Sequence, residues 1–146
     1  MEHKRINIQQ LEPNAYKIMF ALDNYLFTSQ LSKTHWELIK IRASQINGCA
    51  FCINLHTSDA LQQGETAQRI FMLNAWKETG LFTEEERTIL AMTEEITLIS
   101  QNGLTDETYQ KAEKLFDSNY IAQIIMAIVT INAWNRIAIS TLKPIA

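Results

Sequence analysis

Little in this chain interrupts a helix. Its 146 residues include two prolines and four glycines, and no Pro- or Gly-rich linker, low-complexity tract, internal repeat or convincing strand pattern is present. That excludes a beads-on-a-string organisation and an all-β fold. With 47% hydrophobic content the chain can bury one substantial core but is too short for two ordinary domains. A single domain over residues 1–146 is the expectation. Basic charge is scarce too: 13 Lys and Arg against 16 Asp and Glu leave a net charge of -3, and the cations are scattered. No field for a phosphate backbone results, so nucleic acid is excluded as a partner. The most apolar run, Tyr120 to Trp134, is interrupted by Gln123 and falls short of the roughly 20 residues that span a bilayer. It reads as a buried helix, with no membrane partner. The N-terminal stretch MEHKRINIQQLEPNAYK lacks the apolar core of a secretory signal. The mature protein is therefore expected to start here and to be cytoplasmic. Two cysteines, Cys49 and Cys52, would be reduced thiols in that compartment, and their closeness points to a redox pair or a metal site more than a structural staple.

What is present is helical periodicity. Apolar residues return every three or four positions and the turn signals fall between the runs, giving an all-α bundle of about six to seven helices. Pro13 suits the first turn of a helix to about Ser29, with Ile18, Met19, Leu22 and Tyr25 or Leu26 on one face. Ser32 or Thr34 caps a second helix, which Asn47-Gly48 closes. A third runs from Cys49 to Gly64, and a short one crosses TAQRIFMLNAWKETG, residues 66–80. Thr83 and Glu86 have capping-box spacing and open a helix through Ile99, ended by Asn102-Gly103. Thr105 caps another to about Phe116, and the longest follows from Ser118.

The chemistry concentrates in HWELIKIRASQINGCAFCINLHTSD, residues 35–59. At about 100° per residue Cys49, Cys52 and His56 fall within a stripe roughly 60° wide. Glu37 lies about three turns upstream, and doubling back at Gly48 would bring it toward the start of the cysteine helix. A helix N-terminus stabilises a thiolate against its ordinary pKa of about 8.5. His56 can accept the thiol proton, and Glu37 can orient the imidazole or pass the proton on. Thiolate attack on a peroxide gives a sulfenic acid, which a thiol three residues away condenses to a disulfide. The helix dipole favours Cys49 as nucleophile, whereas closeness to His56 favours Cys52.

The pattern of Glu37, eleven residues, Cys49-Ala50-Phe51-Cys52, three residues and His56 resembles the signature of the alkylhydroperoxidase AhpD and carboxymuconolactone decarboxylase family. ETGLFTEEERTILAMTEEIT and INAWNRIAIS are similar to later segments of short AhpD-like members, so the resemblance covers roughly residues 12–142. It implies an all-α AhpD-like bundle in homo-oligomers, a homotrimer or homohexamer, without a cofactor or metal. It further implies a thiol-dependent peroxidase acting on hydrogen peroxide or organic hydroperoxides and recharged by a dithiol or lipoyl-type protein reductant. Cys52 is then peroxidatic and Cys49 resolving, with Glu37 and His56 in the proton relay; Cys49 is expected to be the more accessible thiol that meets the reductant. In one departure, AhpD has a further histidine immediately before the second cysteine, where this chain has Phe51.

Other readings compete. Two inert buried thiols, or a zinc site completed by His56 and Glu37, would use the same residues. A non-catalytic redox-sensing or structural oligomer is the alternative function, and a carboxymuconolactone decarboxylase-type enzyme a weaker third, as its reaction does not rest on a CxxC pair. His35 reads as an exposed first-turn residue and Asp59 as a surface carboxylate or an orienter of His56. Trp76, Trp134, Met72, Met92 and Met126 read as core, and Asn135 and Arg136 as structural, the arginine needing a carboxylate or a subunit boundary. The final helix is apolar around most of its circumference. Ile121, Ile124, Ile128, Val129 and Ile131 cannot share one face, so Ile124 and Ile128 are expected at an interface with another subunit.

Overall fold

Local caps fix most of the helices. The computed structural model describes residues 4–145; residues 1–3 and 146 of the expected domain lie outside the described residues. Among those described there are nine α-helices, one 3₁₀ helix and no strand, an all-α single domain as expected. The helices are α1 (Ile8–Leu11), α2 (Pro13–Thr28), α3 (Lys33–Asn47), α4 (Ala50–Gln62), α5 (Ala67–Phe71), α6 (Glu84–Thr97), α7 (Ile99–Asn102), α8 (Asp106–Leu115) and α9 (Ser118–Ser140), with the 3₁₀ helix at Leu73–Glu78. The count exceeds six to seven because α1 and α7 are single turns and the helix expected over residues 66–80 breaks in two. The α-helical part ends at Met72, and Ala75, at φ -121°, kinks the 3₁₀ helix that follows, where Leu73 and Trp76 turn into the core.

Helix α3 is central. Ser32 caps it by accepting the His35 N–H at 3.1 Å. Gly48 ends it in the left-handed region at φ 70°, a conformation that costs a residue with a Cβ about 1 kcal/mol or more. One face of α3, with Ile39 and Ala43, packs on α6, α8 and α9; the other, with Leu38 and Ile41, packs on a second core holding Ala60, Leu73 and Trp76. The Thr83–Glu86 capping box is present at the start of α6, and Thr105 caps α8.

Helix α9 corrects two expectations. At 23 residues it has the length and apolarity of a membrane span, more than the run from Tyr120 to Trp134 suggested. It is nonetheless the core helix of this fold: Ile121, Ile124, Ile128 and Ile131 are all buried within the one chain. Ile124 and Ile128 are thus core residues and not an interface. The apolar circumference is covered because α2, α3, α6 and α8 surround it, leaving Val129 and Ile139 exposed. Trp76 and Met92 are core as expected, but Met72 is surface-exposed at 37%, lying at the junction between α5 and the 3₁₀ helix. Asn135 is fully buried; it donates to Ser44 Oγ at 3.0 Å and accepts from Asn47 at 2.9 Å. This ties α9 to the last turn of α3 and braces the Gly48 corner. Arg136 needs no carboxylate, since it is exposed and bonds the Asn132 side chain at 3.0 Å.

Candidate active site

The Gly48 corner throws the chain directly into α4. Cys49 takes the N-cap position in extended conformation, where its sulfur accepts the Cys52 N–H at 3.4 Å. Sulfur here does the work usually given to Ser, Thr, Asp or Asn. Cys49 and Cys52, 5.3 Å apart at Cα, are joined in a disulfide. The sulfur of Cys52, at the third position of the helix, lies where unpaired N–H groups and the positive dipole end favour a thiolate. Both cysteines are buried, at 1% and 3% exposure. Cys49 is therefore not the more accessible of the two: Cys52 lines the adjoining cavity and Cys49 does not, because the N-cap turn holds Cys49 beneath the helix entrance.

That cavity, of about 350 Å³, is walled by α2, α3, α4 and α9. Tyr16 and Phe20 meet the Trp134 ring at centroid distances of 5.3 and 5.6 Å, and Asp23 accepts the Trp134 indole N–H at 3.0 Å. Trp134, expected in the core, is a cavity wall. Phe51, Leu55 and Ile131 complete a mainly apolar lining into which His56, Lys40 and Asp23 intrude, with Thr130, Gln9 and Lys143 also on its walls.

Of the four residues picked from sequence, Cys49, Cys52 and His56 gather at the first half of α4. Glu37 does not reach its start. Helix α4 runs back along α3, so Glu37 shares a separate polar pocket with Ala60, Gln63 and Gly64 at the far end of α4. The residue that spans the gap is Lys40, which sequence reasoning missed. Its Nζ sits 2.7 Å from Glu37 Oε1 and 4.0 Å from the Trp36 ring centre, and its side chain lines the cavity with His56 and Cys52. A lysine one turn after Glu37 looks like an ordinary i,i+3 surface pair until the hairpin turns that face inward.

Burial dominates the electrostatics. Desolvation, helped by the Lys40 cation, pushes His56 down to about 3, so its imidazole is neutral. Burial raises the Glu37 carboxyl above its usual range, against the pull of Lys40. It raises Asp23 as well, against the Trp134 hydrogen bond and Lys40. Two buried polar atoms here have no hydrogen-bond partner, Glu37 Oε2 and His56 Nδ1. Asp59 stands 3.9 Å from that Nδ1, too far to orient the ring by a direct bond. His35, only partly exposed, makes a 2.6 Å contact from Nδ1 to the Tyr120 hydroxyl and holds α3 to α9 away from the cavity. A buried sulfur pair, a neutral base and a nearby cation facing an apolar space can exchange two electrons with a small oxidant and move protons locally.

Comparison with known proteins agrees with this architecture. Residues 13–95 match the model of the carboxymuconolactone decarboxylase family. The uncharacterized protein YdfG of Bacillus subtilis (strain 168) is 42% identical over 137 residues, 94% of this chain and 93% of YdfG. Among solved structures, ATU0492 of Agrobacterium tumefaciens, a protein of unknown function described as a candidate antioxidant defence protein AhpD, is 36% identical with a TM-score of 0.95. The match covers 99% of both chains. An uncharacterized peroxidase-related protein from Silicibacter sp. TM1040 is 26% identical with a TM-score of 0.75, over 93% of this chain and 70% of that one.

Proposed function

The chain belongs to the carboxymuconolactone decarboxylase family, and from that premise we propose that it is a thiol-dependent peroxidase of the AhpD-like kind. The observation that carries the reading is a CxxC disulfide at a helix N-terminus, opening through Cys52 onto an apolar cavity that also holds His56 and Lys40. In the reduced protein the Cys52 thiolate attacks the terminal oxygen of a hydroperoxide. An S–O bond forms, the O–O bond breaks, and the departing alkoxide takes up the proton that Cys52 released and leaves as an alcohol. The Cys49 sulfur then attacks the sulfenic sulfur; the S–S bond forms, and the hydroxyl group departs with the Cys49 proton as water. An external dithiol, of the small-molecule or lipoyl-protein class, returns the disulfide to two thiols and becomes a disulfide itself. A reducing, cytoplasmic setting belongs to this reading.

The relay differs from the simple Glu–His chain. In the oxidised protein the buried imidazole, at about 3, is neutral and lies well below a thiol's ordinary value of about 8.5. The helix dipole and Lys40 sustain the thiolate, and that negative charge in turn raises the basicity of His56 once the disulfide is open. Glu37 acts through Lys40, holding the ammonium in place. Peroxide consumption with a dithiol reductant tests the reading: wild type is expected to turn over many times and Cys52→Ser not at all. The burial of both sulfurs favours one other reading, a redox-sensing oligomer whose disulfide changes state without turnover. A single stoichiometric oxidation in that assay would decide for it.

A homo-oligomer remains part of the proposal, moved away from α9. Helix α2 buries only Tyr16 and Leu26 of its sixteen residues and leaves Ile18 and Tyr25, two turns apart on one side of the helix, exposed, an apolar face suited to a second copy of the chain. Light scattering should give a mass well above the 16.8 kDa of one chain, and Ile18→Glu with Tyr25→Glu should lower it without unfolding.

A further inference from the structure

The cavity beside Cys52 does not open onto neutral surface. It shares Gln9, Tyr16 and Lys143 with an outer vestibule of about 990 Å³, built where the two ends of the described chain meet, residues 4–9 and 141–144. The Arg5 guanidinium holds them together by donating to the Ser140 carbonyl at 3.0 Å. The charged residues that line this vestibule are Lys4, Arg5 and Lys143, with no carboxylate among its described lining residues. In a chain with a net charge of -3, three cations on one rim make a local field opposite in sign to the whole. Lys143 marks the passage between the two spaces, its Nζ 4.2 Å from the centre of the Phe51 ring, and Phe51 is a wall of the inner cavity next to Cys52.

Resting on the peroxidase reading of the inner cavity, we propose that its substrates are amphipathic anions: apolar hydroperoxides that carry a carboxylate or similar acidic group at the end remote from the O–O bond. The apolar part fits the aromatic inner space, and the acidic group stays at the rim with Lys143, Lys4 and Arg5. The inner charges set that orientation. Asp23 on the inner wall repels an anion, Lys40 is already paired with Glu37 at 2.7 Å, and His56 is neutral. The reactive end is thereby left to face Cys52. The reaction itself is unchanged, two electrons passing from the dithiol to the O–O bond, so the anionic group governs binding and not chemistry.

Binding can be measured without turnover. Trp36 and Trp134 both line the inner cavity, so intrinsic fluorescence of the oxidised protein reports entry of redox-inert probes. Decanoate and 1-decanol, matched in chain and kept below micellar concentrations, are titrated at low ionic strength. Decanoate is expected to bind about tenfold tighter, with the preference shrinking as salt screens the rim. Lys4→Gln with Lys143→Gln should bring the two probes within about twofold of each other while decanol still binds, which shows the cavity intact. Equal affinities in wild type, a preference that survives the double variant, or failure of both probes to bind would each overturn the proposal. Turnover of an acidic apolar hydroperoxide against its methyl ester follows in parallel. No turnover of either, with the binding preference intact, would sink the peroxidase reading and leave the anion site standing.

Discussion

Two groups of buried charge flank α3 and α4, and they are built on opposite principles. At the back, Arg69 donates to Glu65 at 2.9 Å, to both oxygens of Glu86 at 2.9 and 3.0 Å and to the Leu81 carbonyl at 2.8 Å. Its guanidinium lies 4.8 Å from the Phe82 ring centre, and Glu86 also closes the capping box by accepting the Thr83 N–H. Burial works to raise Glu86, yet Arg69 and Thr83 outweigh it and hold the carboxyl below its usual range. At the front, His56 Nδ1 has no partner, and neither has Oε2 of Glu37, which joins this group only through Lys40 and itself borders the pocket of Arg69 and Glu86; both groups are displaced by desolvation. A satisfied network specifies and rigidifies a fold. Unpaired buried atoms cost stability, of the order of 1–3 kcal/mol each, unless something else uses them. The back group is explained by structure; under the proposed function the front group is explained by chemistry with a substrate or water.

The strongest test removes the sulfur. Cys52→Ser should reduce dithiol-driven peroxide turnover to background, with the thermal midpoint of the reduced protein nearly unchanged, because neither reduced protein carries the disulfide and serine replaces sulfur with oxygen at the same position. Activity retained in this variant would strip the front group of its explanation. Next, His56→Ala should lower turnover by about 10²–10⁴-fold with the fold kept. Lys40→Met and Glu37→Gln should follow the same direction at roughly tenfold, Glu37 acting only through Lys40. Loss of folding in His56→Ala would place that residue with the back group.

The back group should answer in the opposite way. Arg69→Met leaves the Glu65 and Glu86 carboxylates facing each other unpaired and should cost roughly 2–4 kcal/mol, a drop in melting temperature of about 5–15 °C. Turnover per folded molecule should stay within about twofold. If Arg69→Met instead abolished turnover at full stability, the division between the two groups would fail.

How far each region could be read from sequence follows the same line. Caps are local chemistry, so Ser32, Gly48, Thr105 and the Thr83–Glu86 box were legible and set their helix ends correctly. The CxxC–His spacing was legible for the same reason. Lys40 was not, because its role depends on the direction in which α4 returns along α3, and sequence does not contain that turn angle. Nor was the cavity wall: Asp23 and Trp134 meet from α2 and α9, 111 positions apart. In α9 the apolar circumference signalled burial, but not that α2, α3, α6 and α8 of the same chain supply the cover. Ile124→Glu should therefore unfold the protein and not merely dissociate it.

The smallest effect isolates one proton. In the unfolded chain His56 titrates near its ordinary 6.5, but in the folded oxidised protein only near 3. Between those values the unfolded state binds more protons, so folding is favoured above 6.5 and loses stability as pH falls. By pH 5 the loss tied to His56 should reach about 2 kcal/mol. The raised carboxyls of Glu37 and Asp23 act with the opposite sign, since they bind protons more readily folded than unfolded, and His35, also lowered by burial, adds a slope of its own. All three are present in His56→Asn, so the difference between its denaturant stability curve and that of wild type, at pH 7 and at pH 5, reports His56 alone. A difference that does not change between the two pH values would mean that His56 is solvated and free to titrate in the folded protein. The front group would then be an exposed surface pair, and its contrast with Arg69 would dissolve.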